Sequence, residues 1–173
     1  MVLQKSISKC SYAFQPAFLI MFCRIAETLS QEVLAKMYAP QKSNKYEIIH
    51  DPATLEDYDA VLFGIPTRYG NFSAQFKAFW DMTGKQWQTG AFWGKYAGLF
   101  VSTASQGGGQ ESTAIASMST LVHHGFIFVP LGYKTAFPIL ADLSEVRGGS
   151  PWGAGTFAVS YFVWHNLISV TLI

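Results

Sequence analysis

Ala60-Val-Leu-Phe-Gly-Ile-Pro-Thr-Arg68 passes from an unbroken apolar run into a polar turn. Ala60 to Ile65 reads as a buried strand, and Pro66-Thr-Arg-Tyr-Gly-Asn-Phe72 as the tight loop that ends it. An amphipathic helix is expected from Ser73 to about Thr83. Strand, polar loop and helix together make half of a βαβ unit. In open α/β sheets, ligands sit outside the carboxyl ends of the strands. The Thr67–Phe72 loop is therefore the first expected ligand site.

The pattern repeats downstream. Tyr96 to Ser102 reads as the next strand and ends in Thr103-Ala-Ser-Gln-Gly-Gly-Gly109. Ser112 to His124 reads as a helix, with Ile115, Met118, Leu121 and Val122 on one face and Gly125 as its stop. Phe126 to Pro130 is a third buried strand. Gly84 stops the earlier helix, and Lys85 to Gly94 is a loop carrying Trp87, Phe92 and Trp93. Upstream, Ala17–Arg24 is compatible with a strand. Glu27–Met37 has helical spacing, with Thr28 or Ser30 as its cap. Tyr46–Ile49 is a short extended piece. Pro52–Tyr58 is a turn of helix that Asp51 caps and Pro52 opens. Residues 1–16 show no clean period, and Leu143–Gly155 reads as a loop.

Apolar strands alternating with helices predict a parallel sheet covered on both faces. Right-handed crossovers then place the Thr67 and Gly107 loops on the same edge. Two polar loops on one edge suit a flat polar ligand or an anion.

Composition narrows the function. The chain has 173 residues, which suits one domain with a sizeable core, and half of them are apolar. A net charge of +1 gives no footprint for nucleic acid. The two cysteines, Cys10 and Cys23, form no Cys-x-x-Cys pair, so a reducing, cytoplasmic setting is expected. Ala17 to Cys23 is short for a signal-peptide core. Phe157 to Ile173 carries no formal charge but is at the lower limit for a span, which wants about 20 apolar residues. A tail anchor ranks below an atypical terminal segment.

Several catalytic constellations fail on their spacing. His123 and His124 are adjacent on a helix, so their side chains point roughly 100° apart and do not share a metal. No cysteine or carboxylate cluster supplies further ligands, so no metal site is expected. There is no Gly-x-Ser-x-Gly elbow. Gly107-Gly-Gly109 is followed by no Gly-Lys-Ser/Thr. Thr67 to Asn71 is a better candidate. Thr67 offers a hydroxyl, Arg68 a fixed cation, Tyr69 a stacking face and Gly70 a tight turn. A planar heterocycle with carbonyl oxygens suits that set; on this loop alone, an ordinary surface loop stays equally open.

The combination of motifs decides between them. They are Phe63-Gly-Ile-Pro-Thr-Arg-Tyr-Gly-Asn71, Gly94-Lys-Tyr-Ala97, Gly107-Gly-Gly-Gln-Glu-Ser-Thr113, His123-His-Gly125, Val129-Pro-Leu-Gly-Tyr133 and Val146-Arg-Gly-Gly-Ser-Pro-Trp-Gly-Ala154. In this order, residues 27–158 resemble the WrbA family of flavodoxin-like NAD(P)H:quinone oxidoreductases, which use FMN. The resemblance implies a parallel sheet of order 2-1-3-4-5 with FMN at the strand ends. It implies that the loop Thr67, Arg68, Tyr69, Gly70 and Asn71 holds the flavin ring. Ser102, Thr103, Ala104, Ser105, Gln106 and Gly107 would form the second flavin loop. His123 would contact the flavin and Trp87 would line the quinone pocket. NAD(P)H would be the co-substrate and a quinone the acceptor, and a dimer or tetramer is expected. Ala104 stands where the family usually has glycine. If that position needs a positive φ, alanine costs roughly 1 kcal/mol.

Both ends depart from the family pattern. The family's first strand leads into a Ser-Met-Tyr-Gly-His-type loop that wraps the FMN phosphate, and residues 1–16 contain no such loop. Val159 to Ile173 has no likeness to the family's last segment. The expected organisation is an atypical segment 1–24, a flavodoxin-like domain 25–158 without its first strand and helix, and an atypical hydrophobic segment 159–173. The expected function is FMN-dependent, two-electron quinone reduction, possible only if FMN still binds. The alternative is a non-catalytic interaction protein, or a truncated product, that assembles with full-length homologues.

Overall fold

A computed structural model describes residues 1–6 and 18–158, with side chains described at Met1 and from Met21 onward. Cys10 and the 159–173 segment lie outside the described residues. Among the described residues no helix is long and apolar enough to cross a membrane.

The strands are β1 (Val2–Ser6), β2 (Phe18–Ile25), β3 (Glu47–Ile49), β4 (Ala60–Pro66), β5 (Tyr96–Thr103), β6 (Ile127–Phe128) and β7 (Ala154–Phe157). The helices are α1 (Gln31–Lys36), α2 (Ala74–Asp81), α3 (Gly84–Thr89), α4 (Gln110–His123) and α5 (Phe137–Leu140). The sheet runs β3-β2-β1-β4-β5-β6, with β7 also pairing β5. β4 and β5 are parallel over their whole length, from Ala60 opposite Tyr96 to Pro66 opposite Ser102. β6 and β7 also lie parallel to β5, and β3 to β2. The α/β sheet with flanking helices that the alternation predicts is what the chain forms.

β4 and β5 form where apolar residues alternate across the pleat. Val61, Phe63 and Ile65 on β4 are buried, as are Ala97, Leu99 and Val101 on β5. Phe63 packs against Phe76 and Trp80 of α2 and against Phe126, with ring centroids 6.2, 5.2 and 5.9 Å away. Ser73 caps α2, its hydroxyl accepting from the Phe76 N–H. Asp51 caps the 3-10 turn Pro52–Asp57 through the Ala53 N–H at 2.9 Å, with Pro52 in its first turn, as expected.

Some elements differ from the expectation. Gly84 does not end the helical region: Met82 and Thr83 close α2 with bonds to Phe79 and Trp80, and Gly84 opens α3. Gly90, in the left-handed region at φ 67°, is the residue that stops α3. β7 begins in the last two residues of the stretch read as a loop, Ala154 and Gly155, because pairing with β5 satisfies its backbone. The largest difference is β1. Residues 2–6 had no strand pattern, yet they pair with both β2 and β4, antiparallel to each. The centre of the sheet is therefore filled, but by a strand running the other way.

Candidate functional site

The β4–β5 register sets the site. Because the two strands are parallel and Pro66 pairs with Ser102, their loops leave the same edge side by side. The Thr67 N–H donates to the Ser102 carbonyl at 2.9 Å, which continues the ladder into the first loop.

Arg68 and Asn71 then exchange backbone hydrogen bonds of 2.9 and 3.0 Å across Tyr69 and Gly70. Both turn residues have positive φ, 54° at Tyr69 and 75° at Gly70. That is the two-residue hairpin turn whose twist suits flanking strands. Glycine takes this conformation freely; a tyrosine does so at a cost of about 1 kcal/mol. Tyr69 is also fully exposed, so no core contact repays the strain. A strained, fully exposed aromatic ring at a strand end points to a ligand contact.

The second loop lies against the first. Ser105 is fixed from two sides, its carbonyl accepting from the Thr103 hydroxyl at 2.9 Å and the Gly108 N–H at 3.2 Å. Thr103 is buried, so it supports the loop from beneath while Ala104, Ser105, Gln106 and Gly107 stand exposed. Ala104 has no positive φ, so the condition under which alanine would be strained there is not met. The loops meet at two glycines: a Cβ on Gly109 would lie 3.1 Å from the Gly70 Cα. Beside them opens a cavity of about 370 Å3, bounded by Gln106, Gly107 and Ser112 on one side and Arg147, Gly149 and Phe157 on the other.

Trp87 and His123 lie elsewhere. α3 stands where α2 has returned to the starting edge of β4 and β5, and Gln86 beside Trp87 bonds Glu56 there. His123 ends α4, which is 14 residues and so about 20 Å from the Gly109 end. His124 does a different job from its neighbour. Its ring bonds Thr83 Oγ1 at 2.7 Å and the Thr120 carbonyl at 2.9 Å, against Trp80 and Phe92. Within one chain, the two loops come together but Trp87 and His123 do not join them.

Three residues at this edge went unnoticed in the sequence. Gln110 clamps the second loop: its amide donates to Thr103 Oγ1 and the Thr156 carbonyl and accepts from the Gly149 N–H at 2.7 Å. Thr113 is fully buried between the loops. Glu27 follows β2. Its carboxylate accepts from the Thr28 and Leu29 N–H groups at 2.9 and 3.1 Å, from the Gln75 amide at 2.6 Å, and from Lys42. Gln110 and Thr113 sit inside the Gly107–Thr113 motif, so a polar side chain one helical turn past Gly109 was the available signal.

Burial alone would raise the pKa of Glu27. The hydrogen bonds from Lys42, Gln75, Leu29 and Thr28 outweigh it and bring the group to about 2. A depressed carboxylate stabilises the fold above its unfolded value, near 4.5, and loses that contribution as pH falls through its folded value. Between pH 4.5 and 2 the native chain is expected to lose roughly 1–2 kcal/mol more stability than the Glu27→Gln variant, after allowing for solvent screening. Urea unfolding of both proteins across that range checks it; parallel pH profiles would count against the assignment.

Residues 28–136, more than half of the chain, match the NADPH-dependent FMN reductase family. The chain belongs to this family. Among curated family relatives, it is 73% identical over 135 residues to the minor allergen Alt a 7 of Alternaria alternata, covering 78% of this chain and 66% of that protein. It is 61% identical over 135 residues to the NAD(P)H quinone oxidoreductase PST3 of Candida albicans, covering 78% and 67%. The chain thus spans just under two thirds of the length of the first of these relatives. A solved flavodoxin, WrbA-like protein from Agrobacterium tumefaciens aligns with 47% of this chain and 52% of its own, at 37% identity and a TM-score of 0.44.

The family ligand can be tested against the geometry. Two loops held edge to edge at a glycine contact, with the exposed Tyr69 ring and Arg68 in the first of them, have the chemistry that a flat polar ring such as that of FMN takes. The phosphate end is another matter. A strand-to-helix phosphate loop at the sheet centre needs a central strand that ends on the ligand edge. β1 is antiparallel to β4 and presents its start there, so it delivers no such loop.

Proposed function

We propose that the Thr67–Asn71 and Ser102–Gly107 loops cradle the isoalloxazine ring of FMN, and that the chain is a WrbA-type member of its family that reduces quinones with NAD(P)H by two electrons. The observation that carries this is the direct locking of the loops, Thr67 N–H to the Ser102 carbonyl, at the carboxyl ends of two parallel strands. FMN, when bound, supplies the hydride chemistry; the protein supplies orientation and electrostatics. Tyr69 gives a stacking face and covers it from water. Arg68, whose guanidinium rests on the Thr67 carbonyl at 2.8 Å, holds a positive charge where the ring gains electron density. Following flavin fluorescence while FMN is titrated into the chain tests this; no quenching at high micromolar FMN would sink it.

The same proposal gives Trp87 and His123 a role in a homo-oligomer, dimer or tetramer. Both are exposed at the edge away from their own loops, so they reach a flavin only across an interface with a second copy. Sedimentation showing a monomer at every concentration would exclude this. A cytoplasmic setting follows from the cysteine usage. Burial holds the described Cys23 thiol in its protonated form by raising its pKa; cell fractionation tests the location.

The antiparallel β1 favours a second reading. If the chain lacks a phosphate grip of its own, it acts as a non-catalytic partner that assembles with complete homologues. A colourless purified chain that co-assembles with such a homologue would support this reading over the enzyme.

A further inference from the structure

We infer that Thr113 is a positioning residue that joins the two proposed flavin loops into one cradle, through a one-way chain of hydrogen bonds that turns the Thr67 hydroxyl hydrogen inward. The role in flavin binding rests on the function proposed above; the hydrogen-bond chain itself does not.

Thr113 lies in the first turn of α4 and is fully buried. Its hydroxyl oxygen is 2.6 Å from the Gly109 carbonyl and 2.7 Å from the Thr67 hydroxyl. A carbonyl only accepts, so the Thr113 hydrogen goes to Gly109. At 2.6 Å, two oxygens without a hydrogen between them would repel. Thr113 then has no second hydrogen to give, and the Thr67 hydroxyl must donate to it. Thr67 in turn accepts from the Gly70 N–H at 3.1 Å. The direction is fixed throughout: Gly70 N–H to Thr67, Thr67 to Thr113, Thr113 to Gly109. Gly70 belongs to the first loop and Gly109 ends the second, so one buried hydroxyl ties both.

The neighbouring hydroxyls on the helix give their hydrogens elsewhere. The Ser112 hydroxyl points to the Gly109 carbonyl at 3.1 Å, and the Ser117 hydroxyl to the Thr113 carbonyl at 2.7 Å. There is also a chemical consequence. Thr67 has no hydrogen left for a ligand and meets it only as an acceptor, so it selects an N–H or O–H of the bound ring over a carbonyl oxygen.

The test uses Thr113→Val, Thr113→Ser and Thr67→Val in the full chain. Valine keeps the shape and removes the hydroxyl; serine restores it. In the ligand-free chain, Thr67→Val should speed amide exchange of Gly70 by about tenfold, the loss of the one hydrogen bond its N–H makes to Thr67. Thr113→Val should speed it by several-fold, because it frees the Thr67 hydroxyl that accepts that bond. Thr113→Ser should stay within about twofold of the native chain. Flavin affinity should fall about tenfold in Thr113→Val and further in the double valine variant, which also removes the acceptor that Thr67 offers the ring. Gly70 exchange in the double variant should be no faster than in Thr67→Val, since both changes cut the same chain. A native chain that binds no flavin would end the proposed function, yet Gly70 exchange would still decide the hydrogen-bond chain. Unchanged Gly70 exchange in either valine variant, or Thr113→Ser behaving as Thr113→Val, would overturn the inference. If Thr113→Val does not fold, Thr67→Val carries the same exchange test from a half-buried position.

Discussion

Replacing Phe63 with alanine is expected to cost about 3–5 kcal/mol of unfolding free energy. Phe63 is 1% exposed and stands at the middle of β4. Three rings enclose it: Phe76 and Trp80 from α2, and Phe126 from the turn after α4. Two of these contacts are edge-on, at interplanar angles of 70° and 88°, the arrangement that adds about 0.5–1.5 kcal/mol to plain area burial. The enclosing side chains are themselves held by other contacts, Trp80 by Phe79 and His124 and Phe126 by Phe92. They cannot collapse into the space, so the cavity stays open and its cost is nearly full. Chemical denaturation of the variant measures it. A loss under about 1.5 kcal/mol would mean that the aromatic cluster relaxes and does not anchor α2 to the sheet.

Gly155→Ala is expected to cost about 2–4 kcal/mol and to loosen the second loop as well. A Cβ there would lie 2.2 Å from the Gly149 nitrogen and 2.2 Å from Gln110 Oε1. The glutamine could swing away. The Gly149 backbone could not, since Gly149 itself has φ 103° and the next residue, Ser150, is tied to Gly153 by two backbone hydrogen bonds of 3.0 and 3.1 Å. Displacing Gln110 also ends its bonds to Thr103 Oγ1 and the Thr156 carbonyl. Thr103 supports Ser105, so strain that begins on β7 reaches the exposed 104–107 loop. The denaturation midpoint and the flavin affinity should therefore fall together. A stable variant with weakened binding, or an unstable one with normal binding, would break that link.

The sequence made the core of this architecture legible because it depends on local pattern. β4, β5 and α4 each combine a clear period with a polar or glycine boundary, and their order forces both loops to one edge. The motif resemblance then named the residues of those two loops together with Trp87 and His123, which lie away from that edge. What the sequence hid is held by non-local bonds. β1 has no periodic signature and exists through its pairing with β2 and β4. β7 is Ala-Gly-Thr-Phe, a poor strand by propensity, ordered by β5. Gly84 reads as a stop because glycine usually ends helices, but here Thr83, buried and bonded to Trp80 and His124, turns the chain into a new one. Thr113 looks like an ordinary helix residue; only the partners of its hydroxyl show its place at the site.

The cradle proposed for the flavin ring has no phosphate loop from the central strand, since β1 runs antiparallel to β4. Its most direct test is a paired titration of FMN and riboflavin, read by fluorescence quenching. Both are expected to bind, with affinities within about threefold, because no charge-assisted grip on the phosphate separates them. FMN binding tighter than riboflavin by a factor of about 30 or more would contradict it and would require a phosphate site that the antiparallel β1 does not supply.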